Sequence, residues 1–135
     1  MKHTLTLTIT SLLTILFSMF HLADDIVRGF SPGGFSNIPV VLVWVVWLYA
    51  TLMLAERRSG YVIVLVLSLL ASGLPVIHMT GKGVAGGRIA GSSGAFFFVW
   101  TLFAVGVTAV FSVILSARGL WSLRSRSLDS KPGRS

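Results

Sequence analysis

The sequence predicts an all-α membrane protein, a bundle of four transmembrane helices with both termini cytoplasmic. Three observations carry that expectation. The chain contains four apolar runs, each close to the roughly 20 residues a bilayer-spanning helix needs. Of its 135 residues 54% are hydrophobic and only 11% charged, whereas soluble domains carry about a quarter charged residues. The charges fall between the apolar runs or in the C-terminal segment, where they interrupt no span. Residues 1–117 are read as the transmembrane domain, with helices at about 4–28, 38–56, 61–79 and 95–116. Residues 118–135 are read as a basic cytoplasmic tail, partly disordered.

The first apolar run, Leu5 to Ala23, reaches about 28 Å at 1.5 Å per residue, close to the hydrocarbon thickness. A signal peptide is the competing reading, since Lys2 gives a positive start. A cut after Ala23 would, however, place His21 where the peptidase requires a small side chain. The helix is expected to continue to Arg28, with Gly29 as a left-handed C-terminal cap and Arg28 at the negative end of the dipole. Ser31, Pro32, Gly33 and Gly34 turn the chain. Asn37 is the expected N-cap of the second helix, with Pro39 tolerated in its first turn.

Glu56, Arg57, Arg58, Ser59 and Gly60 form a polar turn into the third helix. Pro75 should kink the outer end of that helix, because it cannot donate to the carbonyl of Ala71. A glycine-rich loop from Thr80 to Gly94 leads into the fourth helix. Its Gly81, Gly83 and Gly86 match a bare dinucleotide-binding pattern, but the strand and parallel sheet that give the pattern meaning are missing from the surrounding sequence. Lys82 and Arg88 in the same loop are candidates to attract an anion or a lipid headgroup.

Orientation follows from the positive charges. Lys2, Arg57, Arg58, Arg118, Arg124, Arg126, Lys131 and Arg134 lie on one side of a four-span arrangement; Arg28, Lys82 and Arg88 lie on the other. The positive-inside rule puts the larger set in the cytoplasm, and the protein is expected to be multi-pass in the plasma (inner) membrane. Tyr61 and Trp121 are expected at the inner interface and Trp100 toward the outer one. Trp44 and Trp47 fall deeper, in packing positions. Ala104 and Thr108 form a small-xxx-small pair that permits close helix approach.

Composition excludes several classes of function. Charges dispersed between apolar runs do not build a nucleic-acid-binding face, despite the net charge of +7. With no cysteine, disulfides, thiolate-ligated zinc and iron–sulfur clusters are ruled out. The expected partners are the lipid bilayer and either a second copy or another membrane protein, with no nucleic acid.

Helix 1 carries the most chemistry. Thr4, Thr8, Ser11, Thr14, Ser18, His21, Asp25 and Arg28 recur in steps of three and four, which makes one stripe that should face the bundle interior. Phe17 and Leu16 are placed on the lipid side. At the outer end, Asp24 and Asp25 lie at i+3 and i+4 from His21, and both are within helical reach of Arg28. His78 closes helix 3 on the same side of the membrane, at a matching distance along its helix.

Three readings compete for this cluster. The first is a structural ion-pair and capping network in which Arg28 neutralises Asp24 and Asp25 while His21 and His78 satisfy carbonyls near the Pro75 kink. The second is a single metal ion held by His21, His78 and Asp24 or Asp25, since two imidazoles and a carboxylate suit Zn²⁺ or non-haem Fe²⁺. The third is a protonatable or haem-binding site. The absence of a nucleophile–base pair or catalytic motif points first to a non-enzymatic accessory or scaffold subunit. The alternative is a metal-, haem- or proton-coupled redox or transport component.

Overall fold

The computed structural model describes residues 2–80, 89 and 91–129. Among them the fold is helical, with no strand. The elements are α1 (Lys2–Val27), a 3-10 turn (Gly34–Asn37), α2 (Ile38–Met53), α3 (Arg58–Ser72), α4 (Leu74–Thr80) and α5 (Ala95–Asp129). Four stretches are long and apolar enough to cross a membrane: α1, the 3-10 turn with α2, α3 with α4 as far as His78, and α5.

α1 ends as its sequence requires. Gly29 adopts φ +72, the Gly29 amide bonds to the Ile26 carbonyl, and the Phe30 amide bonds to the Asp25 carbonyl. This pair of contacts is a Schellman cap, which needs a left-handed residue that glycine supplies without a Cβ penalty. The cap locks the backbone at Asp25, so its side chain leaves the helix in a fixed direction. The 3-10 turn then brings the chain to α2. Asn37 does occupy the N-cap position, but its side chain makes no capping bond; its Oδ1 accepts from Ser31 instead.

The polar stripe of α1 lies inside. Ser11, Thr14, Ser18 and His21 are buried, whereas Leu5, Ile9, Leu13, Leu16 and Phe20 are exposed. Phe17 departs from its expected lipid-facing place, because it is partly buried and packs on the core. The serine and threonine hydroxyls mostly bond back to their own helix, and Ser11 does more. Trp47 Nε1 donates to Ser11 Oγ at 2.8 Å, Ser11 lies 2.7 Å from Thr51 Oγ1, and Thr51 donates to the Trp47 carbonyl at 2.9 Å. One donor per group closes this into a circuit, with every proton used, that joins α1 to α2 in the interior.

α3 and α4 are one membrane-length run broken at Gly73. Pro75 has no amide to give the Ala71 carbonyl, and the backbone resets so that the Ile77 amide bonds to the Gly73 carbonyl. α5 comes closest to this run at two glycines. A Cβ on Gly106 would meet Pro75 Cγ at 2.8 Å, and one on Gly119 would meet Tyr61 Cζ at 2.6 Å. Tyr61 is therefore buried against α5. Ala104 is buried as well, and Thr108 bonds back to its carbonyl at 2.7 Å, so that pair serves packing within the bundle.

The fourth helix does not stop near residue 116. α5 runs unbroken for 35 residues to Asp129, taking in much of the segment expected to be a tail. Leu120 and Leu123 pack against the core beyond the expected end, and the segment's Ala, Leu and Arg content favours helix. The end of that tail, and residues 81–88 and 90 of the glycine-rich loop, with Lys82 and Arg88, lie outside the described residues.

Candidate functional site

The C-terminal ends of α1 and α4 and the N-terminal part of α5 bring His21, Asp25 and His78 together. His21 is buried. Its Nε2 lies 3.4 Å from His78 Nε2, and Asp25 Oδ2 stands 3.9 Å from the first nitrogen and 3.7 Å from the second. Sequence spacing explains half of this, since His21 and Asp25 are one helical turn apart. The other half is the break at Gly73 and Pro75, from which the short α4 carries His78 to the same depth.

The outer nitrogens are assigned by their partners. His78 Nδ1 lies 2.8 Å from the Leu74 carbonyl, which can only accept, so Nδ1 carries the proton and donates. His21 Nδ1 lies 3.3 Å from Thr101 Oγ1. That hydroxyl also lies 2.9 Å from the Phe97 carbonyl and 3.1 Å from the Phe98 carbonyl, and when it donates there it accepts from His21 Nδ1. In that tautomer each neutral imidazole holds its proton on Nδ1 and turns an Nε2 lone pair inward.

Two imidazole lone pairs and a carboxylate oxygen thus converge, and all three are acceptors. Asp25 Oδ1 is buried and has no hydrogen-bond partner among the described residues. Acceptors facing acceptors repel in a region of low dielectric, and a cation between them reverses the sign. The distances suit a metal ion: two metal–nitrogen bonds of about 2 Å at a tetrahedral angle separate their nitrogens by about 3.3 Å. The carboxylate oxygen, at 3.7 and 3.9 Å from the two nitrogens, sits about 0.4 to 0.6 Å farther off than that geometry asks. The Nδ1 contacts are of the kind that orient metal-bound histidines.

Asp24 takes no part in this convergence. Its carboxylate receives Arg28 Nε at 2.6 Å, while Arg28 also donates to Ser92 Oγ at 2.7 Å and to the Ser93 carbonyl at 3.4 Å. The two neighbouring aspartates divide the work, because successive helical side chains point about 100° apart. Asp24 with Arg28 pins α1 to the segment before α5, and Asp25 faces the histidines.

Three groups at the site were not singled out by sequence. Thr101 orients His21. The Leu74 carbonyl orients His78. Phe98, fully buried, has its ring centroid 4.8 Å from that of His21 and 5.8 Å from that of His78, with the Arg28 guanidinium 5.7 Å away. Thr101 heads a row of small polar residues with Thr108, Ser112 and Ser116, at steps of seven, four and four, which is the available sequence signal for an inward face of α5. Phe98 and Thr101 do lie one turn apart on a single face of α5, a pairing that gains meaning only once His21 is known to meet that face.

Fold and site together define a class: an all-helical protein, with helices fit to span a bilayer, that carries a two-histidine, one-carboxylate cluster among its described residues. Comparison with known protein families, curated proteins and solved structures found no match.

Proposed function

We propose that this is a small multi-pass membrane protein that binds one divalent transition-metal ion, of the Zn²⁺ or Fe²⁺ kind, through His21, His78 and Asp25 at the outer side of the plasma membrane. The observation that carries the reading is the convergence of His21 Nε2, His78 Nε2 and Asp25 Oδ2, with both Nδ1 atoms engaged elsewhere and Asp25 Oδ1 buried without a partner among the described residues. In an accessory or scaffold role, which the sequence alone favours, a proton shared among the same three groups would take the metal's place, and the metal content separates the two. A haem held between the histidines is disfavoured: two axial bonds in line would need about 4 Å between nitrogens, more than the 3.4 Å found. The Asp25 carboxylate also faces both nitrogens, as a facial ligand set requires and an axial pair does not.

Three protein ligands leave a tetrahedral ion one open position, the mark of sites that bind a further molecule rather than purely structural ones. The metal would supply Lewis acidity there, while Thr101 and the Leu74 carbonyl hold the imidazoles in their ligating tautomer. The eight-to-three distribution of basic residues supports cytoplasmic termini with the site on the opposite side.

Elemental analysis of detergent-purified protein tests the reading. About one equivalent of metal is expected, falling in His21→Ala, His78→Ala and Asp25→Asn but not in Asp24→Asn. Protein that stays metal-free after dialysis against Zn²⁺ or Fe²⁺ overturns it. Reporter fusions test orientation: one after Lys131 should report cytoplasm and one near Gly87 the outer side.

A further inference from the structure

A cavity of about 260 Å³ runs from Trp47 in the interior to His21, Asp25 and His78. Apart from Ser18 its remaining walls are apolar, with Val43 and Trp44 from α2 facing Leu67 and Leu70 from α3. The cavity exists because α2 is held to the bundle at one end only. Trp47, Ala50 and Thr51 are buried, whereas no residue from Ile38 to Val46 is. Leu70 is 68% exposed and Val43 42%, so the wall reaches the apolar outer face between α2 and α3, the face a bilayer would cover.

We propose that this cavity admits a single-chain amphiphile sideways from the membrane, its chain lying against α2 and α3 and a monoanionic oxygen headgroup of the carboxylate type taking the metal's open position. The inference rests on the metal reading above. The ligand chemistry follows from two facts. Apolar walls of this kind do not hold water, and the volume matches about nine water-sized groups, enough for a short alkyl segment. A divalent ion with the Asp25 carboxylate and two neutral imidazoles carries one net positive charge, and a monoanionic head cancels it where low dielectric penalises any residue of charge. Asp24 and Arg28 already neutralise each other. A dianionic phosphate head would leave net negative charge, and a cationic head would add to the positive.

The test uses Co²⁺-loaded full-length protein in detergent, with octanohydroxamate and acetohydroxamate as probes that share one metal-binding head and differ in chain. A visible Co²⁺ band that both probes shift is expected. The variants Val43→Trp and Leu70→Trp fill the cavity from exposed positions that the core does not need. Each should weaken octanohydroxamate at least tenfold and leave acetohydroxamate within twofold; partition into micelles is common to all the proteins and cancels. If both variants leave the ratio of the two affinities unchanged, the cavity does not receive the chain and the inference fails while the metal reading stands. If wild-type protein gives no bound-Co²⁺ band, both fall.

Discussion

Thr101→Val is the sharpest probe of the site, because it removes one hydroxyl and keeps the side chain's shape. The hydroxyl accepts from His21 Nδ1 at 3.3 Å while donating to the Phe97 carbonyl. Without it the buried Nδ1–H loses its partner, at a cost of about 1–3 kcal/mol. The imidazole can avoid that cost by moving its proton to Nε2, where it points at the His78 Nε2 lone pair 3.4 Å away. The escape fills the metal position with a proton, so the ion must displace it before binding. Loss of such an orienting contact typically weakens a metal 10–100-fold. The length of this hydrogen bond places the effect near tenfold, about 1.4 kcal/mol. Competition titration of Zn²⁺ against a chromophoric chelator measures it directly. Thr101→Ser keeps the acceptor and should bind as wild type does. Unchanged affinity in Thr101→Val, or an equal fall in Thr101→Ser, would refute the tautomer argument.

Other consequences are open to measurement. In the Ser11, Trp47 and Thr51 circuit, Ser11→Ala strands two buried partners and should lower stability by about 1–2 kcal/mol. Adding Thr51→Val and Trp47→Phe should cost far less than the sum of the three single changes; additive losses in a reversible detergent-unfolding cycle would show that the circuit is not coupled. Gly119→Ala places a Cβ against the Tyr61 ring and should destabilise by about 1–3 kcal/mol. Tyr61→Leu should restore most of that loss and Tyr61→Phe should not, since the clash is with the ring; rescue by phenylalanine would contradict it. Arg28→Gln frees α1 from Ser92 and Ser93 and should lower the unfolding midpoint while leaving metal content intact, with parallel loss of both as the contrary result.

Much of this arrangement was legible in the sequence, for identifiable reasons. Apolar run length set the four spans, and the three-and-four spacing from Ser11 to Asp25 set the inward face of α1. Gly29 and Pro75 act through local backbone chemistry, so the cap and the break could be read from single residues. What could not be read depends on neighbours. Phe17 borders the polar stripe, and only the position of the adjacent helices decides that it packs inward. The burial of Tyr61 depends in the same way on Gly119 leaving room for its ring. The polar composition after Ala117 resembles a tail, yet a helix already begun continues cheaply and Leu120 and Leu123 find the core. Thr101 is the plainest case, because its role exists only through an imidazole 80 residues earlier.

The unbroken course of α5 has a mechanical consequence. From Thr101 beside His21 to Arg124 in the exposed basic segment, the helix spans about 34 Å with no proline along the way. A rod of that kind converts rotation into displacement: tilting it by 3° about its outer end would carry Arg124 sideways by roughly 2 Å. A change at His21 that tilted α5 in this way would reach Arg124 enlarged, past the two close glycine contacts at Gly106 and Gly119.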